Sequence, residues 1–145
     1  MAAGGVINLS VMAYLWVAIG GALGSVGRFW ISGLVAETSQ RHGSIFPWNT
    51  LAVNVTGSFV IGLLWAFTEP GGRRQIGLSG QQFLIYGVCG GYTTFSSFSL
   101  QTLSLLRDGE WLYAGGNVML SVLLCMIAVW LGYLLGAAVG TMKGN

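Results

Sequence analysis

The chain has 145 residues, of which 54% are hydrophobic and only 7% are charged. A soluble domain of this size carries about a quarter charged residues, so the composition predicts an all-α membrane protein and no nucleic-acid partner. The charges are clustered, and the stretches between clusters have the length of about 20 residues that crosses a bilayer. We predict a single four-helix transmembrane domain over 1–145, with spans near 11–34, 46–67, 81–106 and 111–141.

Polar residues recur every four positions in the second and fourth spans, which places each set along one helix face. Intramembrane polar stripes mark pathways, although a single Ser or Asn also bonds to its own helix or joins two helices. The two stripes could therefore line a narrow, uncharged conduit. They consist of Thr50, Asn54 and Ser58, and of Asn117, Ser121 and Cys125.

The third span contains the most informative string, GGYTTFSSFS at residues 90–99. Glycine pairs and hydroxyl clusters loosen helices, and irregular backbone at membrane depth is tolerated only where protein buries it or where it lines a cavity. We therefore predict a third helix that is broken at its middle. Such a break offers backbone carbonyls, hydroxyls and aromatic edges to a small species that crosses there.

The positive charges barely choose an orientation for the four spans. An antiparallel homodimer is then possible, because the chain inserts both ways round. The alternative is that one charge tips the balance and all copies point the same way. One predicted side of the membrane carries Arg73, Arg74 and Lys143. The other side carries Arg41 and Arg107, together with Arg28 if its side chain snorkels to that side.

The residues exclude several chemistries. The sequence offers no carboxylate pair and no Ser-His-Asp set of the kind that an enzyme would use. The predicted spans also lack the Asp, Glu or His that proton-coupled transport uses. Passive movement remains, and the hydroxyl and amide groups suit a small anion without excluding a cation. A small multidrug-type, dual-topology exporter needs a carboxylate in its first helix, and residues 12–27 contain none. A non-transporting assembly subunit would leave the Thr-Thr-Phe break without a role.

Residues 90–99, with Asn54 in a TxxxNxxG context and Arg28 in a GxxxR context, resemble the Fluc/CrcB fluoride channels over about residues 15–140. The resemblance implies a multi-pass protein of the bacterial plasma (inner) membrane that exports fluoride passively and confers fluoride resistance. It also implies a dual-topology antiparallel homodimer with two pores and a structural sodium ion at its centre. Fluoride, the lipid bilayer and a second copy of the chain are the expected partners.

The resemblance further implies roles for individual residues. The ring edges of Phe95 and Phe98 would face fluoride, and the Asn54 amide would donate to it. In two positions the chain departs from the family, because Gln101 replaces a common glutamate and Cys125 replaces a common hydroxyl. The implied pore residues are Asn54, Thr94, Phe95, Ser97, Phe98, Asn117, Ser121 and Cys125, with Arg28 at the vestibule and the backbone carbonyls of Gly90 and Thr93 at the sodium ion.

Overall fold

A computed structural model describes residues 3–68 and 75–141 of the chain, with side chains described for 11–68 and 75–140. These residues form helices joined by turns and short loops, and they contain no strand. The first two helices are α1 (Ala3–Arg41) and α2 (Trp48–Trp65). Four charged residues lie outside the described part: Glu69, Arg73, Arg74 and Lys143.

Helix α1 continues well past the predicted limit near residue 34. Glu37 and Arg41 form an ion pair one helical turn apart, which supports helix at this point. The helix ends at Arg41, and Gly43 terminates it with a positive φ of 64°, which glycine adopts without a steric penalty. Arg28, which we expected near the end of the first span, therefore lies well inside a helix.

The third helical stretch, α3, covers 78–92 and contains an unusual central section. That section is a π-helix of eight residues, whereas π-helical geometry normally occupies a single turn. The three consecutive parts of α3 are Leu78–Gln81, Gln82–Cys89 and Gly90–Tyr92.

Helical geometry stops at Tyr92 and resumes at Phe95. Thr93 and Thr94 have extended backbones, with ψ of 156° and 111°, and we call this pair the interruption. It is followed by α4 (Phe95–Arg107) and α5 (Trp111–Thr141). At 1.5 Å per residue, neither α3 nor α4 alone spans a hydrocarbon core of about 30 Å. A crossing that uses both has the interruption near its middle.

Glycines set the closest helix contacts. Helix α1 packs along α3, and α2 packs along α5. A Cβ added at Gly20 or Gly24 would overlap the backbone of α3, and one added at Gly62 or Gly132 would overlap the backbone of the facing helix. Small residues at such contacts are typical of helix packing in membranes, where close backbone approach replaces the hydrophobic effect.

The outer surface is apolar. Phe29 on α1 is 84% exposed and Leu112 on α5 is 91% exposed. Within the described residues, the segments 11–41 and 111–140 are long and apolar enough to cross a membrane. An all-helical chain with these outward-facing side chains has the character of a membrane protein.

Candidate functional site

The interruption is stabilised by its own hydroxyl groups. Thr94 caps the N-terminus of α4, since its Oγ1 accepts a hydrogen bond of 3.1 Å from the backbone N–H of Ser97. The same hydroxyl lies 3.0 Å from Ser97 Oγ and donates to it. Thr93 Oγ1 donates to the Cys89 carbonyl at 3.0 Å. The Thr-Thr-Phe-Ser-Ser string thus begins a new helix at the point where α3 ends.

Asn54 on α2 holds the interruption from the opposite side. Its Oδ1 accepts the Thr94 N–H at 2.8 Å, and its Nδ2 donates to the Thr94 carbonyl at 3.0 Å. Because one partner can only donate and the other can only accept, the orientation of the amide is determined. One Nδ2 hydrogen is left over after these two bonds. The amide that we expected to donate in the pore therefore also fixes the backbone beside it.

The same contacts deprive two backbone carbonyls of their usual helical donors. In a continuous α-helix the Thr94 N–H would bond to Gly90, and the Ser97 N–H would bond to Thr93. Here these donors turn to Asn54 Oδ1 and to Thr94 Oγ1. Gly90 and Thr93 are the two residues whose carbonyls we expected at a sodium ion. Neutral oxygen atoms of this kind suit a hard cation.

Helix α1 supplies side-chain donors to a third carbonyl at the end of α3. Arg28 Nε donates to the Gly91 carbonyl at 3.2 Å, and Ser25 Oγ donates to it at 3.4 Å. Arg28 is half-buried there. The sequence pattern around Arg28 indicated an exposed vestibule role and gave no sign of this contact, because its partner lies 63 residues further along the chain.

A cavity of about 450 Å³ opens beside the interruption and brings most of the predicted pore residues together. Phe95 and Phe98 both line it and contact each other, with ring centroids 5.2 Å apart and planes inclined by 47°. None of the described residues that line this cavity is charged. Its lining consists of Asn54, Ser58, Ile61, Thr93, Thr94, Phe95, Phe98, Ser121, Val122, Cys125 and Met126.

Two of the remaining predicted residues, Arg28 and Ser97, line a second cavity of about 410 Å³. It lies between α1, α2 and the start of α4, and Thr94 lines both cavities. Hydroxyl groups of Ser25, Ser32 and Thr50 face it as well. The interruption therefore separates a cavity with one cationic side chain from a cavity with none.

Asn117 is placed apart from the other residues of its stripe. It is 1% exposed, and its Nδ2 donates to Thr102 Oγ1 on α4 at 2.8 Å. Its Oδ1 lies 3.5 Å from Ser121 Oγ, which donates to it. Asn117 thus joins α5 to α4 and connects to the cavity only through Ser121.

Gln101, the departure from the family glutamate, lines neither of these cavities. It faces a third, of about 470 Å³, near the end of α4, together with Asp108 and Glu110. Within the described residues its Oε1 is buried without a hydrogen-bond partner. The apolar cavity residues Ile61, Val122 and Met126 were not predicted, because nothing in an apolar span distinguishes a pore-facing side chain from a lipid-facing one.

Comparison with known proteins relates the sequence of this chain to a family. The model of the family described as CrcB-like protein, Camphor Resistance (CrcB), matches residues 15–133. The chain is 58% identical to the fluoride-specific ion channel FluC of Opitutus terrae over 132 residues, which cover 91% of this chain and 98% of that protein. It is 53% identical to the protein of the same name from Methylocella silvestris over 133 residues, covering 92% and 99% of the two chains.

Proposed function

This chain belongs to the CrcB family, and from that membership and the geometry around the interruption we propose that it is a passive, fluoride-selective ion channel. It exports fluoride across the plasma (inner) membrane of a bacterium and so confers fluoride resistance. The channel is a multi-pass protein and not an enzyme. The single observation that carries the proposal is the uncharged cavity beside the interruption, lined by two phenylalanines, an amide and several hydroxyls.

The lining groups suit a small anion that accepts hydrogen bonds strongly. Aromatic rings carry partial positive charge at their edges, and Phe95 and Phe98 both line the cavity, where such edges could face an anion. The remaining Nδ2 hydrogen of Asn54, which lines this cavity, provides a neutral donor. Each neutral donor replaces part of the hydration shell without adding a charge that would trap the ion.

The passive character is supported by the cavity lining, whose described residues include no carboxylate and no imidazole. Proton-coupled transporters use such groups as relays. A multidrug-type exporter would use a carboxylate on its first helix. The carboxylate that α1 offers, Glu37, is exposed near the helix end and paired with Arg41. This pairing does not support the alternative function.

We propose that the working unit is an antiparallel homodimer with dual topology. Two observations support it. The Lys and Arg residues divide almost evenly between the predicted sides. Phe95, which lines the proposed pathway, is 78% exposed in the single chain, so that a second copy would enclose a pore that one chain leaves open.

We further propose that the dimer holds a structural sodium ion on its axis. The residues fit such an ion, because the carbonyls of Gly90 and Thr93 have lost their regular helical donors. Two copies would contribute four neutral oxygens. When bound, the ion would offset the partial negative charges of these carbonyls. The hydrogen bonds of Asn54 and of the Thr94 hydroxyl hold the interruption in shape.

Fluoride efflux from liposomes that contain the purified protein tests the proposed function. The expected result is rapid fluoride efflux driven by a potassium gradient with valinomycin, with chloride retained under the same conditions. Empty liposomes and a collapsed proton gradient serve as controls. Chloride efflux as fast as that of fluoride, or fluoride efflux that requires a proton gradient, contradicts the proposal.

A further inference from the structure

The Gly91 carbonyl marks the last turn of α3 before the interruption. In a continuous helix the N–H of Phe95 would bond to this carbonyl, but helical geometry is lost between them. Side chains of α1 take that place, because Arg28 Nε and Ser25 Oγ both donate to the Gly91 oxygen. Helix α1 therefore caps the C-terminal end of α3 from outside.

The contact leaves α3 little freedom. A Cβ built on Gly91 would lie 2.9 Å from Gly21 Cα, so the two backbones touch at this level. On the far side of the interruption, the Asn54 amide holds Thr94 through two hydrogen bonds. The short extended segment is thus fixed at one end by α1 and at the other by α2.

We propose that Arg28 is a positioning residue, whose Nε–Gly91 bond sets the direction of the last turn of α3. Through that turn it aims the Gly90 and Thr93 carbonyls and the Phe95 ring. The expected effect of this role on fluoride flux rests on the proposed function. It is distinct from a vestibule role, in which the guanidinium charge would attract anions to the second cavity, which Arg28 also lines.

Two substitutions separate the hydrogen bond from the charge. In glutamine, Nε2 is joined to Cα through the same number of bonds as Nε of arginine, so R28Q keeps a donor at this place and removes the charge. In lysine, a methylene occupies the Nε position and the amine lies one bond further out, so R28K keeps the charge and misplaces the donor. R41Q, which removes an arginine at the exposed end of the same helix, is the matched control.

We expect fluoride efflux to be about tenfold faster in R28Q than in R28K, the effect of one lost hydrogen bond to a half-buried carbonyl. R41Q should conduct as the unmodified chain does. Amide hydrogen exchange supplies a readout that does not depend on conduction. The amides of Thr93 and Thr94 should exchange faster in R28K than in R28Q, because the turn that carries them is no longer held.

Faster efflux in R28K than in R28Q would overturn the inference and assign Arg28 a role through its charge. Equal efflux in the two variants, or equal exchange at Thr93 and Thr94, would overturn it as well. If the unmodified protein carries no fluoride, the proposed function fails. The exchange rates then still decide whether Arg28 holds the turn. Size-exclusion chromatography of each variant confirms that it remains folded.

Discussion

The two hydrogen bonds between Asn54 and Thr94 make a quantitative prediction for Asn54→Ala. Alanine removes both the acceptor at 2.8 Å and the donor at 3.0 Å, and it leaves a backbone N–H and a carbonyl in a half-buried position. Each unpaired group costs about 1–3 kcal/mol, so the free energy of unfolding should fall by about 2–6 kcal/mol. With both Thr94 groups unpaired, the interruption is no longer held in shape beside the cavity, which should abolish fluoride flux.

Asn49→Ala is the matched control. Asn49 is also a half-buried asparagine on α2, but it makes a single bond of 3.0 Å to Ser32 Oγ on α1. A serine hydroxyl can turn to a carbonyl of its own helix, so this change should cost about 1 kcal/mol and leave flux intact. Reversible unfolding in mixed detergent micelles and liposome efflux measure the two effects. An Asn54→Ala protein as stable as Asn49→Ala, with normal flux, would refute the reasoning.

Three further outcomes are expected. Phe95→Ile and Phe98→Ile should each sharply reduce fluoride efflux without unfolding the protein, because an aliphatic side chain has no polarised edge. Trp130→Leu, on the exposed face of α5, is the control. Normal efflux in both phenylalanine variants would show that the rings do not line the pore. Gly24→Ala should destabilise the fold by about 1–3 kcal/mol, since the added Cβ would overlap the α3 backbone. Gly33→Ala is the control, because a Cβ added there meets no neighbouring atom. Equal thermal stability of the two variants would contradict this helix packing. Several lysines added to the loop between α1 and α2 should fix one orientation and abolish activity until a partner biased the other way is co-expressed; full activity of the single biased chain rules out the antiparallel dimer.

The hydrophobic stretches and charge clusters of the sequence predicted where helices occur better than they predicted the residues at which the helices end. The last span, 111–141, coincides with α5, which begins after Gly109 takes a φ of 80°. The first span was expected to end near residue 34, because charges usually mark the edge of a membrane span. Here Glu37 and Arg41 form a pair along the helix and extend it. The charge cluster at Glu37 and Arg41 therefore does not mark the end of this helix.

The contacts of the site depend on residues far apart in sequence, and periodicity predicts only part of them. Four-residue spacing places Asn117, Ser121 and Cys125 on one face, but each step turns by about 40° around the helix. Asn117 therefore bonds to α4, whereas Cys125, about 80° away, lines the cavity. Asn54 was expected as a donor, and its pairing with Thr94 depends on the placement of α2 beside the interruption. No local pattern contains that information.

The central claim is that fluoride passes through the cavity beside the interruption, and the Cys125 thiol tests it directly. Cys125 lines that cavity, whereas the second cysteine, Cys89, is buried elsewhere. Liposome efflux is measured before and after treatment with a methanethiosulfonate reagent, with mass spectrometry to count modified Cys125, in the unmodified chain and in Cys125→Ser. We predict that modification blocks fluoride efflux in the former and leaves the latter unaffected. Undiminished efflux through protein in which every Cys125 carries the adduct would contradict the account.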